Sequence, residues 1–244
     1  MTDNADHNHD HFQRKLIIAI DGPAGAGKST IASRLARKLG YVNLESGAMY
    51  RALALKAIEK DASFDDEATL LKLAEESRIQ LEPTREGNRT LLNGHDVSAR
   101  IRERDVTEAA SRVSVHPAVR AWMVSHQRAM GAGGGVVMEG RDIGTVVFPH
   151  AEVKIFLDAA PEVRGQRRYS QLDQLEQQGA QVPTPPPEEI VRDLRARDER
   201  DRNRADSPLK PAPDAVLLDS TRMTLDETVQ AAEAIVAAKL DRTR

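Results

Sequence analysis

The chain has 244 residues, 40% of them apolar and 30% charged, enough for one compact domain with insertions. A formal net charge of −3 excludes the global positive field that holds a nucleic-acid polymer or an anionic membrane, and the lack of cysteine excludes disulfides and thiolate metal sites. The sequence has no apolar run long enough to cross a bilayer and no signal-peptide pattern, so a cytoplasmic protein is expected.

Residues 1–15 are polar and read as a disordered tail; His7, His9 and His11 alternate within it and would grip a metal ion only if the tail were extended. Residues 16–20 form an apolar run that ends in a glycine-rich turn, and residues 29–39 then carry Ile31, Leu35 and Leu39 at helical spacing before Gly40. Short apolar strands follow at 41–44, 136–138, 153–157 and 215–218, separated by helical or mixed sequence. Five strands alternating with helices predict a parallel sheet covered on both faces. Between residues 63 and 111 the pattern changes, because 79–82 and 90–92 read as strands around the turn-forming Arg85-Glu86-Gly87-Asn88, a small hairpin-bearing insert. The glycines of 131–135 predict a flexible connector, and the prolines of 183–187 a rigid turn between two Arg- and Gln-rich helices that together suit a lid.

Gly22-Pro23-Ala24-Gly25-Ala26-Gly27-Lys28-Ser29 matches G-x-x-x-x-G-K-[ST] completely and lies between the first strand and helix, as that motif requires. Glycines let the backbone wrap with its N–H groups aimed inward, the helix N-terminus adds positive dipole, and Lys28 supplies a point charge for the β- and γ-phosphates. Ser29 is the expected Mg²⁺ ligand, and Thr30 completes the nucleotide-binding segment. A P-loop does not decide whether the nucleotide is hydrolysed, transferred or sensed.

Transfer onto a phosphate acceptor brings two anionic groups together, which requires cations converging from several segments. Arg51 follows Ser46-Gly47-Ala48-Met49-Tyr50 after the second strand, and Arg141 follows the third in Glu139-Gly140-Arg141-Asp142. Both stand at carboxyl ends of strands, the edge where open α/β sheets bind ligands. Arg197, Asp201 and Arg204 share a helix face, and so do Arg164, Arg167 and Arg168. On spacing alone each group also fits a solvated, salt-bridged helix.

Taken together, Asp21 to Thr30, the run Ser46-Gly47-Ala48-Met49-Tyr50-Arg51, the run Gly140-Arg141-Asp142-Ile143-Gly144-Thr145-Val146-Val147-Phe148-Pro149 and the Arg197 to Arg204 segment resemble the bacterial cytidylate kinase family over nearly all of residues 16–240. The resemblance implies an α/β P-loop NTPase-type three-layer fold with a five-stranded parallel sheet. It further implies one kinase domain over 16–244, with an enlarged monophosphate-binding insert at about 63–111 and a helical lid at about 161–204. It implies ATP as donor, Mg²⁺ as cofactor, CMP and dCMP as acceptors, and a monomer. Ser111, Arg120 and Asp142 would then contact cytosine, Arg197 and Asp201 the sugar, and Arg51, Arg141 and Arg204 the acceptor phosphate, with Ser46 nearby. A carboxylate accepting from the exocyclic amine, with an arginine donating to the ring carbonyl and N3, would select cytosine over uracil. Lys28, Arg141, Arg164, Arg167 and Arg204 would share the charge of the transferring phosphoryl group.

Glu139 and Glu45 depart from the family pattern, which has aspartate at both places, and each extends a carboxylate by one methylene. Two other readings stand beside this one: a P-loop kinase for another acceptor, such as UMP, AMP or an alcohol like shikimate, and a nucleotide-sensing regulator without transfer activity. Paired arginines argue against an alcohol, and monophosphate-dependent ATP consumption separates a kinase from a sensor.

Overall fold

A computed structural model describes residues 15–84, 87–177 and 184–240. Strands β1 (Ile17–Asp21) and β2 (Val42–Glu45) flank helix α1 (Lys28–Leu39), and α2 (Ser46–Glu59) starts as β2 ends. After α3 (Glu67–Glu75) come β3 (Ile79–Thr84), β4 (Gly87–Leu92) and β5 (His95–Asp96), then α4 (Arg104–Val113) and α5 (Pro117–Gly131). The chain returns through β6 (Val136–Gly140) and β7 (Val153–Asp158), runs out along α6 (Pro161–Gln177) and α7 (Pro187–Asn203), and closes with β8 (Val216–Asp219) and α8 (Leu225–Leu240).

The five long-range strands pair in parallel in the order β2-β6-β1-β7-β8, which is the expected sheet. Alternation splits each strand between two cores. Ile18 and Ile20 of β1 and Val153, Ile155 and Leu157 of β7 pack with Ile31 and Leu35 of α1 and Val229 and Val236 of α8. Ala19 of β1 and Met138 of β6 face the other way, against Ile143, Val147 and Phe148. The result is a three-layer α/β fold of the P-loop NTPase type. No helix among the described residues is long and apolar enough to cross a membrane.

The insert is an antiparallel sheet, β3-β4-β5, with β5 an addition to the expected hairpin. Its apolar side chains do not form a separate core. Leu70, Ile79, Leu92, Ile101 and Val106 pack in one cluster with Met49 and Leu53 of α2 and Val119 and Met123 of α5, so the core that holds the insert draws on residues on both sides of 63–111. The glycine run, read as a flexible connector, is instead a packed turn: Gly134 has φ 64 and a Cβ there would lie 2.2 Å from the Lys15 carbonyl. Glycine serves close backbone approach here, not mobility.

His7, His9 and His11, the Arg85-Glu86 part of the hairpin turn and the residues joining α6 to α7 at 178–183 lie outside the described residues. The helices of the expected lid, α6 and α7, are both present.

Candidate active site

Strand β1 delivers the chain directly into the phosphate loop. Gly22 is required there by crowding, since a Cβ would stand 1.9 Å from the Leu157 carbonyl of β7. Gly27, at φ 98, turns the chain into α1 from the left-handed region. Lys28 is buried and its Nζ donates to the Pro23 carbonyl at 2.7 Å, folding the side chain over the loop. Burial lowers its pKa to about 7, with the Arg141 charge pushing the same way and Glu139 opposing.

The carboxyl ends of β2 and β6 lie side by side, Glu45 in register with Glu139. Glu139 is buried, and burial followed by the Glu45 charge raises its pKa; its partner is the Ser29 hydroxyl, while Oε1 has no hydrogen bond. Burial alone would raise Glu45 as well, but Arg51 and Arg102 outweigh it and hold the carboxyl below the usual range. One Glu45 oxygen accepts from Arg51 and the other lies 3.6 Å from Arg102 Nη2. Ser46 Oγ donates to the Glu139 carbonyl at 2.7 Å, locking the start of α2 to β6.

Arg141 and Asp201 meet with Nε 2.8 Å from Oδ2. Burial would lower the Arg141 pKa, but Asp201 and Glu139 carry it upward; Asp201 is held low by Arg141 and Arg197 against its own burial. Arg197 is half-buried; burial and then the Arg141 charge lower it to about 10, with Arg51 also among its like-charged neighbours. Lys28, Arg51, Arg141 and Arg197 thus share one cationic centre beside the phosphate loop.

A second cluster lies next to it. Arg120 of α5, buried at 2% exposure, donates to Asp142 Oδ2, and Arg204 Nη2 stands 3.8 Å from Asp142 Oδ1. Arg120 also reaches the Ser114 carbonyl at 3.2 Å, and the Ser114 hydroxyl donates to the Ser111 carbonyl at 3.1 Å. Tyr50 is raised to about 12 by burial, with Arg120, Asp142 and Arg204 around it. A cavity of about 400 Å³ opens on the outer side of Arg120, lined in part by Val124, Arg128, Val146 and Asp206; neither the phosphate loop nor Arg51 reaches it.

Buried polar atoms normally find partners, so those that do not are informative. Among the described residues, Arg51 Nε, Ser111 Oγ, Arg120 Nε, Glu139 Oε1, Arg197 Nε and Arg204 Nη2 have no hydrogen-bond partner in the chain. The others of this kind are scattered, at Asn43, Asn88, Gln127, Thr145, Thr184 and Asp198.

Two expected phosphoryl contacts are taken up by bonds within the chain, in part to the phosphate loop's own carbonyls. Arg164, at 1% exposure, spends its nitrogens on the Ala159 and Ala24 carbonyls, each at 2.8 Å, and on Asp198 at 2.5 Å. It braces the phosphate loop against α7, with its Cβ packed 3.3 Å from where a Cβ on Gly25 would stand and every guanidinium nitrogen engaged within the chain. Arg167 donates to Ser220 Oγ at 3.1 Å and the Ser220 carbonyl at 2.8 Å, past the end of β8, and its Nη1 also reaches the Ala26 carbonyl of the phosphate loop at 3.5 Å. Arg168, on the same turn of α6, donates to Gln171 Oε1 at 2.8 Å; burial first, and then the Arg51 and Arg102 charges, lower its pKa. Arg168 belongs to the helix face already singled out by spacing, whereas Arg102 is an addition to the expected set.

The strand order, the phosphate loop between β1 and α1 and the cationic centre at the carboxyl edge define the chain as a P-loop kinase of the three-layer α/β class. The model of the family described as cytidylate kinase matches residues 18–238. A cytidylate kinase of Pasteurella multocida is 44% identical over 230 residues, covering 94% of this chain and 99% of the relative. One of Aeromonas salmonicida is 48% identical over 217 residues, covering 89% and 92%, and one of Solibacter usitatus is 45% identical over 238 residues, covering 96% and 98%. The chain belongs to the cytidylate kinase family.

Proposed function

We propose that the chain transfers the γ-phosphate of ATP to CMP or dCMP, giving ADP and CDP or dCDP, and that it works as a cytoplasmic monomer. The observation that carries the reading is the set of partnerless buried donors at Arg51, Ser111, Arg197 and Arg204, which stand ready for a phosphorylated, hydrogen-bonding acceptor next to the phosphate loop. In this reading Gly22 to Thr30 hold the donor phosphates, Arg51, Arg141 and Arg204 the acceptor phosphate with Ser46 beside them, Arg197 and Asp201 the sugar, and Ser111, Arg120 and Asp142 the cytosine. A hydroxyl and a carboxylate with an unbonded buried oxygen are hard oxygen donors, so Ser29 and Glu139 suit Mg²⁺, which keeps most of its shell as water and phosphate oxygens. Bound there, the ion would supply positive charge to the bridging oxygens of the donor.

The acceptor phosphate oxygen attacks the γ-phosphorus in line; a new P–O bond forms as the bond to the β-phosphate oxygen breaks, and ADP leaves with that electron pair. The attacking oxygen is already anionic, so no protein base is needed. Lys28, Arg141, Arg204 and Arg168 share the charge, and Arg164 serves by keeping Ala24 and the lid together. The test is incubation with ATP, Mg²⁺ and each of CMP, dCMP, UMP, AMP and GMP, with diphosphates quantified. CDP and dCDP in large excess over the purine products are expected; preference for another acceptor, or no product from any, overturns the reading.

A further inference from the structure

Asp21 ends β1, directly before the phosphate loop, and its buried carboxylate is turned toward the segment that carries Asp142. Oδ1 accepts from the Ile143 N–H and Oδ2 from the Gly144 N–H, each at 2.7 Å. These are the two residues after Asp142. They open a single π-turn, Ile143–Val147, in which the Val146 and Val147 N–H groups donate to the Asp142 carbonyl at 2.8 and 3.2 Å. At the far end Arg128 of α5 donates to the Val147 and Val146 carbonyls at 3.0 and 2.7 Å. A short irregular turn is therefore clamped by a carboxylate on its amides and a guanidinium on its carbonyls. Its own bonds, including Phe148 N–H to the Ile143 carbonyl at 2.7 Å, fix how the turn winds, and the outside partners anchor it to β1 and α5.

We propose that Asp21 is a positioning residue for acceptor selection: by holding the Ile143 and Gly144 amides it sets the aim of Asp142 at the pyrimidine and couples the start of the phosphate loop to the base end of the acceptor. This rests on the reading of Asp142 as a base contact. A carboxylate that merely satisfies two buried amides makes the same bonds, but its loss costs stability without altering which acceptor is preferred.

Asp21→Asn keeps the shape and sets an amide NH₂ against one of the two backbone N–H groups. The expected result is a rise in KM for CMP of about tenfold, a smaller fall in kcat, and a lower ratio of kcat/KM for CMP over UMP. Mg-ADP affinity, measured by calorimetry, changes by much less than KM for CMP. Gly144→Ala approaches the same contact from the turn, since its Cβ would stand 3.3 Å from Asp21 Oδ2 and 3.2 Å from Cδ of Lys154. Lys154 cannot swing away freely because Nζ is bound to the Pro149 carbonyl at 2.6 Å and to Asp214 at 2.8 Å. This variant shows the same signature and decides the matter if Asp21→Asn does not fold. Wild-type KM and an unchanged CMP-to-UMP ratio in the folded variants overturn the inference whatever their melting temperatures, and so does an equal loss on the ADP and CMP sides. The wild-type chain in the same assay separates the two claims: an active wild type with unaltered variants sinks only this inference, whereas a wild type inactive on CMP sinks the proposed function and this inference with it.

Discussion

Nucleotide binding to the phosphate loop is expected to take up a proton. Lys28 is buried with Nζ on the Pro23 carbonyl, and burial, with Arg141 beside it, lowers its pKa to about 7. At pH 8 roughly 0.9 of the unliganded chains then carry a neutral Lys28, against roughly 0.5 at pH 7 and 0.1 at pH 6. A bound diphosphate restores the charged form, so Mg-ADP should draw about 0.9 protons per site at pH 8 and about 0.5 at pH 7. Above pH 7 the affinity falls by up to tenfold per unit, or about 1.4 kcal/mol. Folding follows the same linkage: an unfolded lysine binds more protons than the folded one between about 7 and its model value of 10.5, so this group's contribution to stability rises with pH across that window. Calorimetric titration with Mg-ADP in buffers of different ionisation enthalpy reads the uptake as a slope. The nucleotide's own terminal phosphate, with a pKa near 6, is already ionised at pH 8. Lys28→Met should abolish the slope, and a wild-type slope near zero at pH 8 would refute the reasoning.

Gly22→Ala places a Cβ 1.9 Å from the Leu157 carbonyl, so β1 and β7 must part locally; a loss of about 3 kcal/mol or more in urea unfolding is expected, and an unchanged midpoint contradicts it. Arg164→Ala strands Asp198, itself only 3% exposed, and should cost about 3–5 kcal/mol. Arg168→Ala should leave the melting temperature almost unmoved while lowering CDP formation by roughly tenfold or more; the opposite pattern in the two variants would reverse their roles. Asp201→Ala removes a carboxylate held low by Arg141 and Arg197, leaving their charges buried without it. Its melting temperature should fall and recover in part with inorganic phosphate, and a melt that phosphate does not move shows that excess positive charge is not the cause.

The sequence located every strand of the main sheet but ended four of the five a residue early and β6 two residues early, for one reason. β1, β2, β7 and β8 finish on Asp21, Glu45, Asp158 and Asp219, and β6 passes through Glu139 to Gly140. Reading strands as apolar runs stops at the first carboxylate, yet the ligand-binding edge is where polar residues belong. The phosphate loop was fully legible because motif and context coincide. Arg51 and Arg141 were legible from their place after strands, whereas Arg197, Asp201 and Arg204 stood out only as a shared helix face and took their roles from the family resemblance. Arg102 carried no signal: it sits among Arg100 and Arg104, and only tertiary position turns it to Glu45 while those two pair with Asp105 and Glu108. Likewise Arg164, Arg167 and Arg168 share a spacing but not a destination. The π-turn after Asp142 and the core shared by the insert with α2 and α5 depend on contacts far apart in the chain, which periodicity does not encode.

Arg51, Arg120 and Arg141 are each matched to a carboxylate of the chain itself, Glu45, Asp142 and Asp201. An arriving monophosphate therefore exchanges anionic partners inside the protein instead of stripping mobile salt ions from bare cations. Screening by added salt weakens the old pairing and the new one together. Raising potassium chloride should accordingly erode acceptor affinity far less than an arginine cluster of this size would imply, leaving the enzyme's hold on its acceptor buffered against changes in ionic strength.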